Sequence, residues 1–165
     1  GLTGGYLPMA ATMATDTIWE AFQRSYEESK TFFHGHTYGG NPLAAAAATA
    51  TLDVFDEERT LELLPDKIER LRDHLSHMAE LRHVGDVRQC GLLAGIELVS
   101  DKDKQEAFPW EQKRGMRVCE YALNEGVWLR PLGNVIVIVP PLSVTLEELD
   151  RICIAAENGI VAVTE

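Results

Sequence analysis

The chain has 165 residues, with 15 Lys and Arg against 26 Asp and Glu for a formal net charge of −11, and is 45% hydrophobic and 25% charged. That is ordinary globular usage, sufficient for one core or one core plus part of another, and too short for two complete domains. The acidic field repels nucleic-acid backbones and anionic membranes, and no apolar run approaches the roughly 20 residues that span a bilayer.

The first residues, Gly1-Leu2-Thr3-Gly4-Gly5, have the glycine density of a backbone that turns tightly. They lack the charged and apolar regions of a signal peptide, begin without Met and read as the continuation of something longer. Met9 to Thr15 reads as a short buried strand of small residues, and Asp16 to Tyr26 as an amphipathic helix carrying Ile18, Trp19 and Phe22. Lys30 to Gly40 is a loop that ends at Asn41-Pro42, an N-cap followed by proline at the first helical position. Leu43 to Phe55 is then an alanine-rich helix, expected to be central because small side chains on every face admit close packing.

A helix from Pro65 repeats apolar residues at Ile68, Leu71, Leu75 and Met78. Strands follow at Asp86–Cys90 and Leu92–Val99, separated by Gly91, and a helix opened by Pro109 ends at Gly126. Val127–Arg130 and Val135–Val139 read as a hairpin turning at Gly133-Asn134, stopped by Pro140-Pro141. Thr145 and Glu148 form a capping box for the last helix. From about residue 60 the order is helix, two strands, helix, two strands, helix, an α+β layer with helices on one face.

Two places offer chemistry. The loop Phe32 to Asn41 unites glycines, Thr37, His34 and His36 before a helix N-terminus, which suits an anion and equally suits a Gly-rich turn whose threonine caps its neighbour. His34 and His36 have no partners at metal-ligand spacing, and His74 and His77 read as part of a solvated helix face. Arg130, in an apolar strand, is either a carboxylate clamp or a solvent-facing arginine beside Trp128. The three cysteines, Cys90, Cys119 and Cys153, are odd in number and widely spaced, so they read as reduced core thiols of a cytoplasmic protein.

Leu2-Thr3-Gly4-Gly5-Tyr6-Leu7-Pro8, His34-Gly35-His36-Thr37-Tyr38-Gly39-Gly40-Asn41-Pro42, Gly126-Val-Trp-Leu-Arg-Pro131 and Pro140-Pro141, in that order, resemble the class III pyridoxal-phosphate aminotransferases over nearly the whole chain. The resemblance implies the C-terminal portion of a fold-type I transferase, α/β and α+β. Residues 1–55 would end the large cofactor domain and 56–165 would form the small C-terminal domain. It implies pyridoxal 5'-phosphate as cofactor, a homodimer with shared active sites, and a small keto acid and an amino donor as substrates. The Schiff-base lysine would immediately precede Gly1, leaving no catalytic residue in the chain and no activity in it alone. By the same resemblance Thr37, with the backbone of His36, reaches the cofactor phosphate held mainly by the partner subunit. Gly35 lies against the keto acid, and Arg130 pairs with its carboxylate. The implied reaction is amination of 8-amino-7-oxononanoate to 7,8-diaminononanoate in biotin synthesis. Alternatives are an ornithine, acetylornithine or ω-amino-acid member, or a non-catalytic packing module. His36 stands where proline is common in adenosylmethionine users, and Val137 lies near the position of a tyrosine, so adenosylmethionine and lysine both stay open as donor.

Overall fold

A computed structural model describes residues 1–165, which form two compact units, Gly1–Arg59 and Thr60–Glu165. The first holds helices α1 (Asp16–Phe22) and α2 (Pro42–Glu57). The second runs α3 (Leu64–Ala79), β1 (Val84–Cys90), β2 (Leu93–Asp101), β3 (Glu106–Ala107), α4 (Arg114–Asn124), β4 (Arg130–Leu132), β5 (Val135–Ile138) and α5 (Leu146–Thr164). No helix is long and apolar enough to cross a membrane.

In the first unit the opening glycines do turn tightly. Gly4 and Gly5 take φ of 60° and 84°, where other residues are strained, and the Thr3 hydroxyl donates to the Leu7 carbonyl and accepts from the Leu7 amide. Met9 to Thr15 is not a buried strand. It is exposed and unpaired, because the unit contains no second strand to complete a ladder. Helix α1 stops at Phe22 instead of reaching Tyr26; the Arg24 guanidinium donates to the carbonyls of Glu20 and Gln23 and so satisfies its last turn. Asn41 caps α2 as expected, its Oδ1 accepting from the Leu43 amide at 3.0 Å. That helix is not central within its unit: only Ala44 and Ala48 are buried, while Leu43, Leu52 and Val54 face solvent.

The second unit has a core. Its antiparallel sheet runs in the order β1-β2-β5-β4, with β3 on β2. Alternation turns Ala94, Ile96, Leu98, Ile136 and Ile138 to one face, where Leu71, Leu75 and Met78 of α3, Val118 of α4 and Leu149, Cys153 and Ile160 of α5 complete one cluster. Each fully buried aliphatic side chain there is worth about 1.5–3 kcal/mol. The opposite face carries Arg88, Gly95, Val137 and Arg130 in one row, Arg130 opposite Val137, Val137 opposite Gly95, and Gly95 opposite Arg88.

Two boundaries and one side chain differ from expectation. Pro109 opens a short 3-10 turn, Trp110–Gln112, and Lys113 at φ 48° breaks it before α4 begins. Val127–Leu129 is not strand, because Val127 N–H is spent on Ala122 O (2.8 Å) while Gly126 N–H donates to Leu123 O, a Schellman closure of α4 with Gly126 at φ 79°. His74 leaves the solvated face: its Nε2 meets Asp150 Oδ1 at 2.7 Å, with Arg70 Nε 3.0 Å from the same oxygen, and the cluster ties α3 to α5. His77 is exposed. The Thr145–Glu148 capping box forms in full.

Cys119 and Cys153 are core thiols, whereas Cys90, at the end of β1, is exposed because its place in the strand turns it to the open face. Burial pushes the Cys119 and Cys153 thiols up, to about 11 and about 12. Native protein at pH 8 is therefore expected to react with a thiol-specific reagent at Cys90 alone, and at all three positions once denatured. Rapid native labelling of Cys153 would contradict this packing.

Candidate functional site

The turn preceding α2 is closed by its own backbone and by one imidazole. Gly39 N–H donates to His36 O (2.9 Å), Asn41 N–H to Tyr38 O (3.1 Å), and Tyr38 N–H to His36 Nδ1 (3.1 Å). The side chain that caps this turn is thus His36, not Thr37. Gly40 holds φ 72°, and a Cβ on Gly39 would crowd His36 O at 3.1 Å, so both glycines follow from the turn.

This closure leaves Thr37 exposed with both its amide and its hydroxyl unused inside the chain, and the His36 amide unused beside it. The first turn of α2 contributes less than its position suggests. Pro42 has no N–H, Leu43 N–H is taken by Asn41 Oδ1 and Ala45 N–H by Asn41 O. An anion here would be met mainly by Thr37 and the His36 amide, with the helix dipole behind them. A cleft of about 670 Å³ lies alongside, lined by Pro8, Met9, His34, His36, Tyr38 and Asn41 among others; Thr37 and Gly35 are not in its lining. His34 stacks on Phe32 at 5.5 Å. Gly35 has no positive φ, and a Cβ there would meet nothing within 4 Å, so nothing within the chain demands a glycine.

In the second unit Arg130 opens β4 and lines a cleft of about 500 Å³. Trp128, Leu132, Val137, Val139 and Pro140 share that lining, and Arg130 is its sole charged residue. Its guanidinium makes no hydrogen bond or ion pair within the chain. Arg88, in the same row of the open face, is the opposite case: it bridges Asp86 at 2.8 Å and Glu97 at 2.7 Å. One arginine is neutralised by its neighbours and the other has no partner inside the chain. Sequence reasoning did not single out Arg88, because its bridge to Glu97 crosses from β1 to β2.

A family model for aminotransferase class III matches residues 1–159. An adenosylmethionine-8-amino-7-oxononanoate aminotransferase of Geobacter sulfurreducens is 54% identical over 99% of this chain and 36% of its own length. The crystal structure of the enzyme of that name from Methanocaldococcus jannaschii superposes with a TM-score of 0.93 at 47% identity, covering 100% of this chain and 38% of that one. A PMP-bound aminotransferase from Vibrio fluvialis matches at 28% identity with a TM-score of 0.77, over 83% of this chain and 30% of its own. The chain therefore spans about a third of the length of the relatives it matches.

Proposed function

The chain belongs to the class III aminotransferases, and from that premise we propose that it is the C-terminal stretch of a homodimeric, cytoplasmic enzyme that aminates 8-amino-7-oxononanoate to 7,8-diaminononanoate for biotin synthesis. The observation that carries the proposal is that a chain so close to relatives of that name has an unengaged Thr37 in one unit and, in the other, an unpaired Arg130 lining an apolar cleft. We propose adenosylmethionine, which those relatives are named for, as the amino donor. Residues 1–55 would complete the cofactor domain and 56–165 would form the small domain.

The cofactor is pyridoxal 5'-phosphate, and the turn fits its phosphate: two main-chain amides and one hydroxyl stand exposed with no partner inside the chain. When bound, pyridoxal phosphate supplies an electron sink for the carbon that loses its proton. Thr37 Oγ1 and N–H, with the His36 amide, would donate to the phosphate of a cofactor held chiefly by the partner subunit. Coverage by a second subunit also suits a first unit that leaves Tyr6, Met13, Phe33, Tyr38 and Leu43 exposed. Gly35 would lie against the keto acid, which explains a glycine that its own chain does not require.

Arg130 would hold the substrate carboxylate through two parallel hydrogen bonds. The walls of Leu132, Val137 and Val139 would take the aliphatic chain. Each buried methylene contributes about 0.8 kcal/mol, so a few of them match the roughly 1.5–3 kcal/mol of a charge-assisted hydrogen bond. Chain length is then read by the walls, and orientation by the arginine. The lysine that carries the cofactor would lie just upstream of Gly1, and the 165 residues alone are expected to be inactive.

The proposal is tested by assaying the complete enzyme with 8-amino-7-oxononanoate against ornithine, acetylornithine and ω-amino acids. Turnover confined to the oxononanoate is expected; turnover only with ornithine would falsify it. Thr37→Ala is expected to weaken cofactor binding by roughly 1.5–3 kcal/mol, read by titration of pyridoxal phosphate into the apoenzyme. Arg130→Ala is expected to raise KM for the keto acid far more than for the donor. Equal increases for both would remove the clamp.

A further inference from the structure

The hairpin that carries Arg130 is seated on α4 by a contact too close for any side chain. A Cβ built on Gly115, in the first turn of α4, would lie 2.2 Å from the Gly133 carbonyl oxygen and 3.1 Å from Pro131 Cβ. Real Cβ atoms do not come within 3.0 Å of such a neighbour, so helix backbone here meets turn backbone directly. Gly115 has no positive φ, which means that packing and not conformation excludes a side chain.

Both sides of the contact are stiff. Asn134 fastens the turn by donating Nδ2–H to Phe108 O at 2.8 Å, and its own carbonyl accepts from Leu98 N–H at 2.9 Å. Pro131, whose ring fixes φ, joins the turn to Arg130 with little give. Helix α4 is backed by α5, where a Cβ on Gly159 would already stand 3.0 Å from Val118 O, and Arg114 Nη1 donates to the Val163 carbonyl. A group added at Gly115 has no room to push the helix away, so it pushes the hairpin. Nothing inside the chain holds the Arg130 guanidinium, so the backbone of β4 sets the root from which it reaches its cleft.

We infer that Gly115 is a positioning residue for Arg130, an inference that rests on the carboxylate-clamp reading: the missing side chain sets the height at which β4 presents the guanidinium to its cleft. An alanine methyl overlaps the turn by at least 0.8 Å measured against the 3.0 Å limit. Misplacement of a binding group by about 1 Å costs up to about 100-fold.

The test measures equilibrium binding of nonanoate and of its uncharged counterpart nonanamide to the complete enzyme by calorimetry. Variants are Arg130→Ala, Gly115→Ala, Pro131→Gly and Gly85→Ala. The last is a control at the other sheet edge, where an added methyl crowds Val99 at 2.5 Å without touching the hairpin. Wild type is expected to favour nonanoate and Arg130→Ala to lose that preference. Gly115→Ala is expected to lose about tenfold or more of it, with nonanamide affinity unchanged, and in turnover to raise KM for the keto acid and not for the donor. Gly85→Ala is expected to lower Tm and keep the full preference.

If Gly115→Ala does not fold, Pro131→Gly decides, since it loosens the same seat without overlap and is expected to reduce the preference in the same direction. Full preference in Gly115→Ala, or in Pro131→Gly where that variant decides, overturns the positioning role while leaving the clamp intact. A reduced preference in Gly85→Ala, matching the loss in Gly115→Ala, also overturns it by making the effect one of general destabilisation. A wild type indifferent to the charge, or an Arg130→Ala variant that keeps the preference, overturns the clamp and the inference with it.

Discussion

The imidazole of His36 accepts the Tyr38 amide and so closes the turn without using Thr37. Had the threonine hydroxyl made that bond, the turn would be self-sufficient and would have little to offer an anion. As it stands, a hydroxyl and two amides remain in a stretch of backbone braced by Gly39, Gly40 and the Asn41 cap. Donors already in place, with the turn's internal bonds made, would need little reordering to meet a phosphate.

The same economy governs the second unit. Its sheet buries one face under three helices and leaves the other open, and on that open face the charges are treated unequally. Hydrogen bonding to Glu97, aided by Asp86, pushes the Arg88 pKa upward and balances its charge. Arg130, three strands further along the row, has apolar neighbours in their place. A guanidinium among valine, leucine and proline gains most from a ligand that is itself a carboxylate on an aliphatic chain. The close seat of the hairpin on Gly115 belongs to this arrangement, because with no partner on the guanidinium the backbone is the one part of Arg130 that the chain itself fixes.

Much of the fold was legible because local chemistry punctuates it. Asn41-Pro42, Gly126, Gly133-Asn134 and the Thr145–Glu148 pair each mark a boundary through a bond or a φ value that neighbouring residues alone dictate. Errors arose where the deciding partner is distant or absent. Met9–Thr15 has the composition of a strand and no strand to pair with, and His74 turned from solvent to Asp150 across 76 positions of sequence. Val127–Leu129 lost its ladder to a helix cap. At the sites, Thr37 and Arg130 were visible as residue types in context. The bridge from Arg88 to Glu97 and the overlap at Gly115 were not, since each depends on an approach between elements that no periodicity records, and the cap from His36, though local, uses a residue type with no standard capping signature.

The most direct test of the account is a crystal structure of the complete enzyme with pyridoxal phosphate bound. It is expected to show Thr37 Oγ1 and N–H of one subunit within hydrogen-bonding distance of the phosphate of a cofactor seated in the other. A phosphate satisfied entirely by other residues, with the 36–40 turn facing elsewhere, would contradict it.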